Sequence, residues 1–259
     1  MVLRRTFEAL LRRFAGQSRA AVWRTLDDPG ALWAVGDVHG CTDLYRKLEE
    51  RILNETDLPA TVVLLGDMID RGPDSRGMLE LLLAEPPAGL RRVALMGNHE
   101  DMALRFLSNP EGSRGWLGYG GRETLLSYGV AVDDATPPAA LRDLWRRALP
   151  AVHLTYLTGL PHAIGAGRHI LTHAGADAEV PLARQGRTAL VWHRHAEIGD
   201  LIPPADLGDR IVVHGHVPVA EARLNGWRLN LDTHAFRTGR LTAARLFPDA
   251  PPQVVTIVA

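Results

Sequence analysis

The sequence predicts an α/β fold of mixed (α+β) type, and two observations carry the prediction. Short apolar runs near residues 31–35, 61–65, 92–96, 169–172 and 210–213 alternate with amphipathic stretches such as "TDLYRKLEERIL" (42–53), "DSRGMLELLLAE" (74–85) and "EDMALRFLS" (100–108). Alternation of that kind builds strand–helix–strand units. Three further strands, "WRLNL" (227–231), "LTAARLF" (241–247) and "QVVTIV" (253–258), follow at short intervals that suit antiparallel pairing. A mixed sheet, or two packed sheets, fits this order better than a purely parallel one.

Taken in order, residues 1–28 read as a basic amphipathic N-terminal arm, with six arginines against Glu8 over residues 1–24. Leu3, Phe7, Leu10, Leu11 and Phe14 share one helical face. The segment lacks the apolar core and small-residue cleavage site of a secretory signal. A helix docked on the domain, or a loose arm, is the first reading; a membrane-surface helix or partner-docking arm is the second. Residues 29–259 read as one domain, with "VDDATPPAALRD" (132–143) as a surface loop before a helix.

Composition narrows the function. A chain of 259 residues buries roughly three-quarters of its unfolded surface and needs no metal or disulfide merely to stay folded. The net charge of −1 gives no reason to expect a nucleic-acid partner. Cys41 is the only cysteine, which excludes a disulfide framework and points to a reducing, cytoplasmic setting. No apolar run reaches the ~18 residues of a membrane span. The sequence leaves the oligomeric state open.

The strand ends carry the chemistry. "ALWAV" runs into "GDVHG" (Asp37, His39), "TVVLL" into "GDMIDRG" (Asp67, Asp70, Arg71), "RRVALM" into "GNHE" (Asn98, His99, Glu100), "HILT" into "HAG" (His173) and "RIVVH" into "GHVP" (His216). One Asp-x-His after a strand is a surface coincidence, and one "GD" is a turn. Five such ends in order point to ligands gathered at the carboxyl edge of the strands. They suit a two-metal centre in which Asp37, His39 and Asp67 hold one ion, Asp67, Asn98, His173 and His216 the other, and Asp67 bridges. Two divalent ions roughly 3.5–4 Å apart clamp attacking and leaving oxygens at phosphorus and acidify a bridging water. Oxygen and nitrogen donors without sulfur suit Mn, Fe or Zn better than Ca. Asn98 supplies a carbonyl oxygen without adding negative charge. His99 then stays off the metals to protonate the leaving oxygen, with Asp70 orienting it.

The set "GDVHG … GDMIDRG … GNHE … HAG … GHVP" resembles the phosphoprotein phosphatases within the calcineurin-like metallophosphoesterases, over residues 31 to 247 or thereabouts. "GGRETLLSYG", "PLARQ", "LVWHR", "VVHGHVPV" and "LNLDTHAFRTGRLTA" resemble recurring segments of the bacterial branch. The resemblance implies a β-sandwich of two mixed sheets flanked by helices. It implies a bacterial serine/threonine phosphatase, with phosphotyrosine as a further substrate, acting on phosphorylated proteins or peptides. Catalysis would use two divalent ions, Mn²⁺ foremost, and direct attack of a metal-bridging hydroxide. Arg71 and Arg194 match the family's phosphate-gripping arginines, with Asn98 beside the phosphate. Hydrolysis of dinucleoside polyphosphates of the diadenosine tetraphosphate type, or of small phosphoesters, is the alternative. The intact "DRG" and the Glu100 of "GNHE" lean toward monoesters.

Departures from the family pattern are specific. Met96 replaces the arginine of eukaryotic relatives. His234 stands in "LDTHA" where glycine is expected. Pro218 occupies a position at which many phosphodiesterases and nucleases place a further ligand. His216 is preferred over His214 as the last ligand. Cys41 reads as a small residue opening a helix. Trp116 and Tyr119, in a Gly-rich stretch, read either as a rim over the site or as ordinary packing.

Overall fold

The computed structural model describes residues 9–11, 20–193 and 202–259. Among these, eleven strands form two mixed sheets. One sheet has the order β11-β10-β2-β3-β4 and the other β1-β5-β6-β7-β9-β8. The first holds β2 (Ala31–Val35), β3 (Ala60–Leu64) and β4 (Leu90–Ala94), mutually parallel, with β10 (Arg240–Leu246) antiparallel to β2 and β11 (Gln253–Val258) antiparallel to β10. The second holds β1 (Trp23–Thr25), β5 (Ala163–Ala166), β6 (His169–Thr172), β7 (Ile211–His214), β8 (Leu224–Asn225) and β9 (Arg228–Asn230).

Side-chain alternation along β2 shows how the layers form. Leu32 and Ala34 point to the partner sheet and join Val63, Ile164, Leu171, Val213 and Leu229 in the inter-sheet core. Trp33 and Val35 point the other way, under the helices, with Tyr45, Leu48 and Met78. Both faces of β3 are covered, so all five of its residues are buried and it reads as a continuous apolar run. Each fully buried Leu or Val contributes about 1.5–3 kcal/mol.

The helices are α1 (Thr42–Glu55), α2 (Ser75–Leu83), α3 (Asn98–Ser108), α4 (Gly121–Ser127), α5 (Pro138–Ala148), α6 (Ala151–Thr158), α7 (Arg187–Trp192) and α8 (Ala235–Thr238). A 3₁₀ turn spans Arg114–Tyr119. Asp74 caps α2 by accepting the Gly77 N–H at 2.8 Å. Arg92 on β4 forks onto Glu49 of α1 through two 2.6 Å bonds and ties that helix to the sheet.

Two sequence expectations change here. "WRLNL" does not pair with "LTAARLF": β9 crosses to the other sheet, parallel to β7, and only β10 and β11 form the expected antiparallel pair. The segment 138–143, expected as loop, is helical, because Pro138 at the first helical turn presets its φ. Within the stretch expected as an arm, β1 pairs with β5 as an edge strand and Leu11 is buried in the helix-side core.

Candidate metal centre and active site

The strands before the five ligand-bearing turns are register-locked parallel neighbours within each sheet, β2–β3–β4 in one and β6–β7 in the other. The ladders run on into the turns: Leu65 N–H donates to Val35 O, Leu95 N–H to Leu64 O and Gly215 N–H to His173 O, each at 2.9 Å. The glycines in front of Asn98 and His216 have a steric reason. A Cβ on Gly97 would lie 2.2 Å from Asp67 Oδ1, and one on Gly215 1.9 Å from Asp37 Oδ1.

Asp67 sits at the centre, 2 % exposed. Its Oδ1 accepts the His99 N–H at 3.0 Å and faces His173 Nε2 at 3.4 Å. Its Oδ2 faces His39 Nε2 at 3.6 Å and His99 Nε2 at 3.8 Å. Burial pushes its pKa up, but His173, His99, His39 and His216 outweigh this and hold it well below the usual carboxylate range. Asp37 lacks such neighbours. Burial, Asp232 and Asp67 push it well up, although the His216 N–H donates to both its oxygens at 3.2 and 3.1 Å.

The imidazole tautomers decide whether this cluster suits a cation. His173 Nδ1 lies 2.9 Å from Leu65 O and His39 Nδ1 2.9 Å from Ile69 O. A carbonyl only accepts, so each Nδ1 carries the hydrogen and each Nε2 presents a lone pair. Burial lowers the pKa of both rings, against the pull of Asp67. The His173 lone pair then faces Asn98 Oδ1 at 2.9 Å as well as Asp67 Oδ1. Three acceptors converge with no proton to share, an arrangement that a cation satisfies. His216 Nδ1 reaches the same Asn98 oxygen at 2.9 Å. Donor atoms of His39, Asp67 and His99 form one group able to hold an ion, and those of Asp67, His173 and His216 a second. The residues present therefore fit two divalent metals.

The structure gathers all the described candidate residues. His39, Asp67, His99, His173 and His216 make up the two metal-capable groups, and Arg71, Asp70 and Asn98 bond to their imidazoles. Asp37 lies beside them, accepting the His216 N–H, but falls in neither metal-capable group, and Arg194 lies outside the described residues. His214 is buried with Nδ1 3.0 Å from Gly215 O and belongs to neither metal-capable group. His99 falls within the His39–Asp67 group, although the sequence reading set it apart from the metals; its Nδ1 donates to Asp70 Oδ2 at 2.8 Å. Burial pulls the His99 pKa down, but Asp67 and Asp70 together raise it. Arg71 Nη1 donates to His39 Nε2 at 3.1 Å, and its guanidinium lies 5.0 Å over the Phe236 ring.

Four supporting residues escaped the sequence reading. Glu100, read from sequence only as a mark of substrate preference, accepts N–H bonds from Asp67, Met68, Ile69 and Gly97 at 2.8–3.2 Å and welds the "GDMID" turn to the start of α3. Asp232 packs behind Asp37 and accepts the His234 N–H at 2.8 Å; burial pushes its pKa up to about 6. Trp116 and Thr124 hold Asp70: the indole N–H donates to Oδ2 at 2.7 Å and the hydroxyl to Oδ1 at 2.6 Å. Trp116 is itself clamped between Trp145 and Phe106, with centroids 4.9 Å away on each side. Of the two readings for this stretch, Trp116 is packing that also orients the site, whereas Tyr119, 60 % exposed, lines the rim. Trp116→Phe keeps the packing and removes one charge-assisted hydrogen bond, so kcat is expected to fall about tenfold with KM little changed. Steady-state kinetics on one phosphoester checks this.

Backbone strain concentrates here too. Among the described residues, the non-glycine positions with positive φ are His39, Asp67, Asp70, Arg71, His216 and His234. Such conformations cost of order 1–3 kcal/mol and persist where a site enforces them. His234, at φ 62° and ψ 50°, shows why the resemblance calls for glycine at that position. Its ring packs edge-on against Phe236 at 4.6 Å, and Phe236 in turn faces His39 at 5.4 Å. His234→Gly is expected to stabilise the fold by about 1 kcal/mol, raising the thermal midpoint by about 2–4 °C. A lowered midpoint in a thermal melt would show that the ring contact outweighs the strain.

A mixed β-sandwich with carboxylates, imidazoles and an amide converging on two cation positions defines a metal-dependent phosphoesterase. The family model for calcineurin-like phosphoesterases matches residues 31–243, and the chain belongs to that family. It is 26 % identical over 245 residues to an asymmetrical bis(5'-nucleosyl)-tetraphosphatase, PrpE, of Geobacillus thermodenitrificans, covering 86 % of this chain and 91 % of that protein. It is 42 % identical over 92 residues to serine/threonine-protein phosphatase 1 of Salmonella typhimurium, covering 35 % of this chain and 38 % of that one. A crystal structure provisionally described as a diadenosine tetraphosphatase superposes with a TM-score of 0.61 at 25 % identity, covering 91 % of this chain and 98 % of the other. A yeast protein serine/threonine phosphatase superposes with a TM-score of 0.56 at 15 % identity and shares the fold. No described helix is long and apolar enough to cross a membrane.

Proposed function

We propose that the protein hydrolyses dinucleoside polyphosphates of the diadenosine tetraphosphate type. The observation that carries this reading is the near full-length likeness to a bis(5'-nucleosyl)-tetraphosphatase. A cavity of about 460 Å³ that runs on from Asp67, Asn98, His99 and His216 past Arg105 and Trp192 agrees with it, because a phosphoserine side chain would leave most of that space empty.

In this proposal Asp37, His39 and Asp67 hold one divalent ion and Asp67, Asn98, His173 and His216 the other. Mn²⁺ is the first candidate and Fe or Zn the next. When bound, the ions supply Lewis acidity and a water acidified to near neutral pKa. The remaining steps belong to the chain. Arg71 holds phosphoryl oxygens through its forked donors, with Arg194 assigned to the same task from sequence. Asp70, fixed by Trp116 and Thr124, keeps the Nδ1 hydrogen of His99 in place, so that Nε2 is the position from which a proton reaches the leaving oxygen. The backbone of the "GDMID" turn, locked by Glu100, holds Asp67 between both sites.

A second reading, hydrolysis of phosphoserine, phosphothreonine or phosphotyrosine in proteins, is favoured by the shorter but closer match to the Salmonella phosphatase. Turnover of diadenosine tetraphosphate against a phosphothreonine peptide, after reconstitution with Mn²⁺, separates the two. Higher kcat/KM on the dinucleotide is expected; preference for the peptide would transfer the function to phosphoproteins.

A further inference from the structure

The cavity has a second polar anchor away from the metal centre, and it is built around Asp101. This carboxylate is fully buried, at 0 % exposure, yet takes no part in the metal cluster. Its Oδ2 accepts the Trp192 indole N–H at 2.8 Å and Arg105 Nε at 2.9 Å, and its Oδ1 accepts from Arg187. One negative charge thus fixes two guanidiniums and an indole, leaving the cluster with a net positive charge. Trp192 and Arg105 both line the cavity, as do Met102 and Tyr119.

Helix α3 sets the spacing. Asn98, Met102 and Arg105 stand at i, i+4 and i+7 on one helical face. At 1.5 Å per residue, the Arg105 backbone lies roughly 10 Å along the axis from that of Asn98 at the metal centre, and its guanidinium folds back toward Asp101. A chain of several phosphates can run from the metal centre to this cation. Beyond the cation, the indole of Trp192 is pinned by its N–H, with Met102 beside it and the Tyr119 ring at the rim. An aromatic platform next to a fixed cation is the combination that receives a nucleobase and its adjoining phosphate.

We infer that Met102, Arg105, Tyr119 and Trp192 form a nucleotide subsite, in which Arg105 takes a distal phosphate of a polyphosphate chain and the two aromatic rings take the base. The inference deepens the dinucleotide reading and rests on it for the choice of substrate. It has its own test, independent of whether the dinucleotide is cleaved. With Mn²⁺ in excess, ATP and inorganic triphosphate are compared as competitive inhibitors of p-nitrophenyl phosphate hydrolysis. The two differ by the nucleoside alone.

ATP is expected to bind about 5- to 100-fold more tightly than triphosphate, the range of one base stacked on an aromatic side chain. That ratio should collapse toward one in Trp192→Leu and fall in Tyr119→Ala, whose exposed position makes it the variant safest for folding. Arg105→Gln should weaken both inhibitors together. Equal inhibition by ATP and triphosphate in the wild-type protein would overturn the subsite, as would a ratio that survives both aromatic substitutions. Triphosphate binding unchanged in Arg105→Gln would overturn the role of Arg105. A protein that prefers ATP to triphosphate but leaves diadenosine tetraphosphate intact would keep the subsite and lose the proposed substrate.

Discussion

Asp67→Ala is expected to lower turnover of every phosphoester substrate by about 10³-fold or more, equivalent to the several kcal/mol of charge stabilisation that bound metal contributes at the transition state. The size of the effect follows from position. Among the described residues, both metal-capable donor groups contain Asp67 and no other residue belongs to both. Its carboxylate is also the anion facing the imidazoles of His39, His99 and His173, so its loss leaves rings with lone pairs and no charge to hold a cation among them. The alanine variant also removes the acceptor for the His99 N–H in the first turn of α3, which costs about 1 kcal/mol of stability. Asp67→Asn retains an acceptor at that position and should lose activity to a similar degree while melting near the wild type. Activity within tenfold of wild type in the asparagine variant would contradict the bridging role.

His99→Ala is expected to lose about 10²–10⁴ in rate, the usual worth of a general acid, while retaining the full metal complement. Two features of His99 pull in different directions. Its Nδ1 is committed to Asp70, itself held by Trp116 and Thr124, which suits an oriented proton donor. Its Nε2 nevertheless lies close enough to His39 and Asp67 to share an ion with them. Metal content by elemental analysis and rate, measured on the same preparation, separate these roles. Loss of rate with metal retained supports the acid, and the loss should be greater for alkyl phosphates than for p-nitrophenyl phosphate, whose leaving group needs little protonation. Loss of an ion together with rate would reassign His99 as a ligand.

Much of the site was legible in the sequence because each ligand turn follows an apolar strand, and in four of the five a glycine stands directly before the first ligand. The strand buries itself, the glycine admits the neighbouring ligand, and the polar residue is left at the sheet edge. The clash that a Cβ at Gly97 or Gly215 would make with Asp67 or Asp37 is the physical content of those motifs. The partners that orient the ligands were not legible. Trp116 and Thr124 reach Asp70 across 46 and 54 residues of chain, and nothing local marks an indole or a hydroxyl for that task. Glu100 carries a partial signal, since a glutamate in the first turn of a helix commonly closes a capping box, but its bonds to Met68 and Ile69 depend on tertiary structure.

In the fold, the apolar runs that mark β2, β3, β4, β6 and β7 lie within two residues of the observed strands; β2, β3, β6 and β7 are buried over nearly their whole length, whereas β4 carries Arg91 and Arg92 and is partly exposed. The edge strand β1, at three residues, and β5, "AIGA", were missed for want of length and of β-branched residues. The sheet assignment of β9 also escaped, because a short connection to β10 reads as a hairpin even when the chain crosses between sheets. His234 was marked as a departure from the family pattern, and its left-handed backbone supplies the reason.

If five strand ends build a two-ion centre on Asp67, the polypeptide binds two metal equivalents. The most direct measurement is metal stoichiometry: the chain is stripped with chelator, reconstituted with excess Mn²⁺, desalted and analysed for metal per polypeptide. Two equivalents in the wild type, with both weakened in Asp67→Asn, is the predicted result. One equivalent or none in the folded wild-type protein, or two retained in Asp67→Asn, would contradict it.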